Sequence, residues 1–272
     1  MQTLPGRRGQ ISVGSLTATL RSVENAAASH RTFLLDWDGC CAVGNHLTGA
    51  ARRFLSAHAD RVVLLSNNST HRRSDFIRLA RMHGIELAAD QVVLAGERAI
   101  ARATGLTPKH TLVLGNAKMR ALAKASGVTC EAKAPETVVL MRDQDFNYDK
   151  LCRAVEAVAR GARLICANPD LTHPGRDGRP IPETGALLAA IIAAAQPDAA
   201  NIEIIGKPSA TLFRHAVRAA GVSLENCMMI GDNPETDIAG AEALGIPALH
   251  YCATSGADLS TEVARFEAAI GA

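Results

Sequence analysis

The sequence predicts an α/β protein built on an open parallel sheet. Two observations carry that prediction. Short apolar runs alternate with helical periods along the chain, and four of the runs end in complementary polar groups, as expected where a parallel sheet presents a ligand site at the carboxyl ends of its strands. Residues 32–36, 61–66, 91–95, 202–206, 227–231 and 247–251 are the expected strands of the core sheet.

The first run, 32–35, gives way to Asp36-Trp37-Asp38-Gly39, with two carboxylates two residues apart at a glycine turn. If Asp36 attacks phosphorus, Asp38 is placed to protonate the leaving oxygen and then to activate water. The second, 61–65, ends in Ser66-Asn67-Asn68-Ser69, which offers a hydroxyl, amides and backbone N–H groups to phosphate oxygens. A helix follows, with Phe76, Leu79 and Ala80 on one face. Residues 111–114, 137–141 and 163–167 read as a second set of strands, separated by helices over about 118–126 and 148–160. The alanine-rich stretch 185–195, 11 residues long, suits a buried helix and is too short to span a bilayer. The run 202–205 leads to Gly206-Lys207-Pro208-Ser209, where the lysine can balance the charge of the nucleophile and of the phosphoryl oxygens. Ser209 is the expected cap of a helix carrying Leu212, Phe213, Ala216, Val217 and Ala220. The last motif, Gly231-Asp232-Asn233-Pro234-Glu235-Thr236-Asp237, supplies carboxylates for a hard cation such as Mg²⁺. Taken singly, each motif reads equally as a turn, a helix cap, a surface lysine or a polar loop; their conjunction favours phosphoryl transfer.

The set Asp-x-Asp-Gly, Ser-Asn-Asn-Ser, Gly-Lys-Pro and Gly-Asp-x-x-x-Thr-Asp resembles the four motifs of the haloacid dehalogenase superfamily in its phosphatase branch. Only 30 positions separate Asp36 from Ser66, whereas 141 separate Ser66 from Lys207. That spacing is similar to subclass IIA, the NagD-like, p-nitrophenylphosphatase-like and pyridoxal phosphatase-like group, whose cap is inserted between the second and third motifs. The segment Asn168-Pro169-Asp170-Leu171-Thr172-His173-Pro174, followed by Asp177-Gly178 and Pro182-Glu183-Thr184-Gly185, also resembles that group. The resemblance implies a Rossmann-like, doubly wound core of residues 1–105 plus 203–272 and an inserted α/β cap of C2 type over 106–202, which sets substrate specificity.

It also implies roles. Asp36 is the expected nucleophile and Asp38 the general acid and base. Asp36, the backbone carbonyl of Asp38, and Asp232 would bind Mg²⁺; Asn233 and Asp237 would act from just outside that shell. Ser66, Asn67, Asn68 and Lys207 would hold the phosphate, with Ser66 standing where the family often has threonine. Trp37 is expected to pack beneath the site. His173, with Asn168 and Asp170 nearby, is the expected substrate contact from the cap, against the alternative of a loop histidine held by Pro174.

The function so implied is Mg²⁺-dependent hydrolysis of a small phosphate monoester through an aspartyl phosphate. The alternative is a weakly catalytic relative that binds a phosphometabolite and regulates, although such a descendant would normally lose one of Asp36, Asp38, Lys207 or Asp232. A haloalkanoate dehalogenase needs neither Asp38 nor Asp232, and a receiver domain needs no insertion of this size. With 272 residues and a net charge of +2, the chain gives no reason to expect nucleic acid or a membrane surface as partner. A small-molecule phosphate monoester is the expected partner, and self-association as a homodimer is compatible with the family. Seven scattered cysteines read as reduced thiols, and residues 1–20 lack the apolar core of a signal peptide, so a cytoplasmic location is expected. Only nine aromatic residues are present, few of them in the expected cap, which tilts the substrate toward a small, non-nucleotide ester.

Overall fold

The computed structural model describes residues 31–44, 46–106, 110–174 and 179–271; residues 1–20, read above for an export signal, and the pair Asp177-Gly178 lie outside the described residues. From the N-terminal side the chain forms Thr32–Leu35 (β1), the short antiparallel pair Ala42–Val43 (β2) and His46–Leu47 (β3), and helix Gly49–His58 (α1). Val62–Ser66 (β4), Arg73–Arg81 (α2), Val92–Leu94 (β5) and Ala95–Thr104 (α3) follow. A second α/β run comprises Thr111–Leu114 (β6), Ala117–Ala125 (α4), Thr137–Leu140 (β7), Tyr148–Ala159 (α5) and Arg163–Cys166 (β8). It continues through the antiparallel pair Thr172–Pro174 (β9) and Pro180–Pro182 (β10), then Thr184–Ala195 (α6) and Ile202–Ile204 (β11). The chain ends with Ala210–Ala220 (α7), Cys227–Gly231 (β12), Ala239–Glu242 (α8), Ala248–His250 (β13) and Leu259–Ile270 (α9).

The core sheet is parallel, in the order β13-β12-β1-β4-β5. From β1 the chain first builds outward on one side through β4 and β5, and later on the other through β12 and β13. The order therefore reverses at β1, where a crevice opens beyond the strand ends. Four strands of the second sheet, β11-β8-β7-β6, are also parallel. The segment 202–206, expected in the core sheet, is corrected here: Ile202–Ile204 pairs with β8 as an edge strand of the second sheet. Glu203 in that strand explains the choice. A central strand buried on both faces has no place for a carboxylate, whereas at this edge Glu203 lies 2.7 Å from Arg102 and 3.3 Å from Arg163.

Alternation along β1 divides the core between its faces. Phe33 and Leu35 pack with Phe54, Phe76, Leu259 and Val263 from α1, α2 and α9, while Leu34 joins a cluster on the other face. That second cluster also contains Ala99 and Ile100 of α3, Leu212 and Phe213 of α7, and Val113, Val139 and Ile165 of the second sheet, so the two sheets share apolar packing. The far face of the second sheet packs Leu112, Val138, Leu140 and Leu164 against Ala154, Val158, Leu188 and Ile191 of α5 and α6. Each such buried aliphatic or aromatic side chain contributes about 1.5–3 kcal/mol. The alanine-rich helix α6, expected to be buried, packs one face, around Leu188 and Ile191, into this last cluster.

Strand ends of both sheets converge on residues 66–70. Asn116 Nδ2, after β6, donates to Thr70 O at 2.9 Å, and Arg142 N, after β7, donates to Ser69 Oγ at 3.0 Å. Asn67 Nδ2 donates to Asp170 Oδ2, beyond β8, at 3.2 Å. Gly96 lets α3 approach the same loop, because a Cβ there would lie 2.7 Å from Ser69 Cα.

Candidate active site

β1 delivers Asp36 into the crevice almost fully buried, and Trp37 packs beneath it against Phe76, with ring centroids 5.0 Å apart. At Gly39, φ is +91° and a Cβ would lie 2.1 Å from Asp232 Oδ2. The turn can press against the Asp232 carboxylate only because glycine occupies this position. Gly231, at the end of β12, admits Asp237 in the same way, since a Cβ would fall 2.3 Å from Asp237 Oδ2. Asn233 shapes the following turn: its Oδ1 accepts from the N–H groups of Glu235 and Thr236, and its own N–H donates to Asp237 Oδ2 at 3.1 Å.

Lys207 is buried between two of these acids. Its Nζ lies 2.5 Å from Asp36 Oδ1 and 2.5 Å from Asp237 Oδ1, the latter off the angle for a hydrogen bond, which leaves that buried oxygen without a hydrogen-bond partner. Burial alone would lower the Lys207 pKa, but the carboxylates of Asp237 and Asp36 outweigh it, and the ammonium is held above its ordinary range. Asp36 is pushed up by burial, helped by the charges of Asp237 and Asp232 and opposed by Lys207. Burial and Asp237 likewise push Asp232 up to about 6, against Lys207.

Carboxylate oxygens of Asp36, Asp232 and Asp237 lie within 4.8 Å of one another. Three carboxylates around one ammonium leave an excess of two negative charges when all are ionised, and one buried oxygen is orphaned. All the donors are oxygens. This set fits a hard divalent cation such as Mg²⁺, which would restore neutrality and relieve the upward pressure on Asp36 and Asp232. Asp237, expected outside the shell, thus sits in the same tight group as Asp36 and Asp232, while the Asp38 carboxylate is not part of it.

Asp38 instead points to the mouth of the crevice, where it reaches solvent although protein surrounds it closely. That crowding raises its pKa, opposed by a hydrogen bond to the Asn68 side chain and by the charges of His71, Lys207 and His173. A carboxyl group that retains its proton more readily than usual, at the edge of a buried anionic site, is suited to proton transfer.

The second strand-end loop divides its work. Ser66 Oγ accepts from Asn68 N at 3.1 Å. The Asn67 amide is committed to the lysine segment: Lys207 N donates to its Oδ1 at 2.7 Å, and its Nδ2 donates to Lys207 O at 3.0 Å. Asn68 Oδ1 caps the next turn by accepting from the N–H groups of Thr70 and His71. These two side chains therefore hold Lys207 and Asp38 in place, which leaves the Ser66 O–H and backbone N–H groups as the loop's means of contacting an anion. Cys40 and Cys41, next to the site, are buried and unbridged, as are the other buried thiols; hydrogen bonding to Cys41 and burial push the Cys40 thiol up and keep it protonated.

Across the crevice, the second sheet contributes a polar wall. His173 Nδ1 lies 2.9 Å from Glu183 Oε1, off the angle for a hydrogen bond, and Arg142 Nε lies 3.4 Å from the same oxygen. Glu183 Oε2 accepts from Thr184 N at 3.3 Å and from Asn168 Nδ2 at 3.5 Å. Burial pushes Glu183 up to about 7 against the pull of Arg142, and burial followed by Arg142 lowers His173. The charge of His173 acts on Asp38 and that of Asp38 on Glu183, so the wall faces the mouth of the site. Sequence reading found His173, Asn168 and Asp170 here but missed Arg142 and the place of Glu183. The signal was available, because Arg142 follows β7 as Ser66 ends β4, and the rule of strand ends applies to both sheets.

The model of the haloacid dehalogenase-like hydrolases matches residues 30–245. The chain belongs to that family. Among characterised relatives of this hydrolase, the sugar-phosphatase AraL of Bacillus subtilis is 32% identical over 235 residues, covering 80% of this chain and 84% of the relative. Dihydroxyacetone phosphatase of Corynebacterium glutamicum is 29% identical, covering 78% of each. Similar solved structures include a 4-nitrophenylphosphatase of Thermotoga maritima, with a TM-score of 0.74 and 27% identity over 86% of this chain and 91% of the other. A glycerol phosphate phosphatase of Mycobacterium tuberculosis in complex with magnesium gives 0.71 and 27%, over 82% and 68%. NagD of Escherichia coli K-12 shares the fold, with a TM-score of 0.71 at 24% identity over 84% and 89%. The hydrolase therefore falls in the phosphatase branch, as its motifs imply. Among the described residues, no helix is long and apolar enough to cross a membrane.

Proposed function

We propose that this hydrolase is a Mg²⁺-dependent phosphatase of small sugar or polyol phosphates that works through a phosphoryl group on Asp36. The observation that carries this reading is the buried Asp36–Lys207–Asp237 chain beside Asp232, with Asp38 alone at the open mouth. In the first step Asp36 attacks phosphorus; Lys207 engages Oδ1, so the attack falls to Oδ2. The bond from phosphorus to the ester oxygen breaks, and Asp38 gives its proton to the departing alkoxide. Asp38, now a carboxylate, then takes a proton from a water that attacks phosphorus, which frees inorganic phosphate and restores Asp36. Lys207, the Ser66 O–H and the backbone N–H of Asn67 stabilise the charge on the transferred group. A bound Mg²⁺ would be held by Asp36 and Asp232 with the carbonyl of Asp38, and would screen the dianionic ester from the aspartate. Asp237 and Asn233 orient Lys207 and the Asp232 turn. The second sheet with β9 and β10, roughly residues 106–204, serves as the cap, and His173 contacts the leaving group. The relatives' names, sugar-phosphatase and dihydroxyacetone phosphatase, support a small hydroxylated leaving group.

The test is phosphate release from a panel of sugar, polyol, nucleotide and pyridoxal phosphates at fixed Mg²⁺. Release from hydroxylated three- to six-carbon esters, lost with EDTA and restored by Mg²⁺, is expected. EDTA-resistant turnover, or release from nucleotides alone, would overturn the reading.

A further inference from the structure

The polar wall opposite Asp38 carries one feature that the phosphatase reading leaves unused, the position of Glu183. Its carboxylate is nearly buried between groups of the cap: Oε1 lies 3.4 Å from Arg142 Nε and 2.9 Å from His173 Nδ1, and Oε2 accepts from Thr184 N and Asn168 Nδ2. Glu183 begins α6, and Arg142 is anchored by its backbone to Ser69 in the core, so the pair bridges the mouth between two fixed elements. The other nearby cation, Lys118, is bound to Asp75 at 2.8 Å. Asp170, held by Asn67, adds a second carboxylate to the same wall. Arg142 and Lys118 are thus each paired with an acid. A leaving group that bears a carboxylate would meet at least two acidic groups there, Glu183 and Asp170, whereas a hydroxylated leaving group would meet amide, imidazole and carboxylate partners for its O–H groups.

We propose that Glu183 is a positioning residue that fixes Arg142 and His173 and cancels the charge of Arg142, so that the cap selects uncharged, hydroxyl-bearing leaving groups against carboxylated ones. This rests on the phosphatase reading and names the basis of selectivity at the same site.

The experiment compares kcat/KM for glycerol 3-phosphate and 2-phosphoglycolate in the Mg²⁺-loaded enzyme. The proteins are wild type, Glu183→Gln, Glu183→Asp, Arg142→Gln, and the Glu183→Gln/Arg142→Gln double variant. Glu183→Gln releases Arg142 and is expected to move the ratio toward 2-phosphoglycolate by about 10-fold or more, mainly through KM. Glu183→Asp keeps the charge and should stay within about 3-fold of wild type. Adding Arg142→Gln should cancel the shift, and Arg142→Gln alone should move the ratio the other way, which preserves the test if Glu183→Gln does not fold. Equal ratios in wild type, Glu183→Gln and Arg142→Gln would overturn the proposal, as would a Glu183→Gln shift that persists without Arg142. Hydrolysis of p-nitrophenyl phosphate by the wild type separates the two readings: if no ester is turned over, the phosphatase reading itself fails.

Discussion

Gly39 and Asp232 show how single residues constrain this site. Close contact between the Gly39 backbone and the Asp232 carboxylate leaves no room for a side chain at position 39, and the Asp36, Asp232 and Asp237 oxygens are consequently gathered within 4.8 Å. Such a group has too many negative charges for Lys207 alone, and the carboxyl groups of Asp36 and Asp232 are pushed upward. A divalent cation lowers that cost, and its affinity depends on each carboxylate present. Asp232→Ala should therefore raise the Mg²⁺ concentration for half-maximal activity by about 10-fold or more, whereas the same change at the exposed Asp90 should move it less than about 2-fold. A Mg²⁺ titration of phosphate release in the two variants decides; equal midpoints would remove Asp232 from the cation site.

Among the elements, α7 links core packing to the site. The helix begins two residues after Pro208, with Ser209 Oγ accepting from Thr211 N at 3.3 Å, and buries Leu212, Phe213, Ala216 and Val217. Phe213 is fully buried in the cluster shared by the two sheets, and a Cβ on Gly240 would stand 2.9 Å from its ring. Phe213→Ala should cost about 3–5 kcal/mol of stability. Urea denaturation measures this, and a loss below about 1 kcal/mol would mean that α7 is held by something other than this packing. The same helix was legible in the sequence because its cap and apolar face are local signals, as were the runs that became β1, β4 and β12. The place of Ile202–Ile204 was not legible as a core strand. Its pairing depends on Arg102 and Arg163 meeting Glu203 at an edge, and these residues lie 101 and 40 positions away. The charge inside the run was the available warning, since an apolar strand of a parallel core has no use for it.

For the molecule as a whole, two parallel sheets turn their strand ends toward the loop at residues 66–70. One sheet presents the buried acids and Lys207; the other presents Arg142, His173 and Glu183. The acids and Lys207 were readable from motif order alone, because each stands directly after an apolar strand. The wall was only half readable. Glu183 and Arg142 are 41 residues apart, and their meeting is made by the pairing of whole strands and by α6, not by any local pattern. The chemistry proposed for this arrangement turns on Asp36 carrying the phosphoryl group. Rapid acid quench of the Mg²⁺-loaded enzyme with a turned-over ester, followed by peptide mass spectrometry, tests this in wild type and in the near-isosteric Asp36→Asn variant. The account predicts a transient phosphoryl group on the peptide bearing Asp36 in the wild type, and neither phosphorylation nor turnover in Asp36→Asn; wild-type turnover in that variant would contradict it.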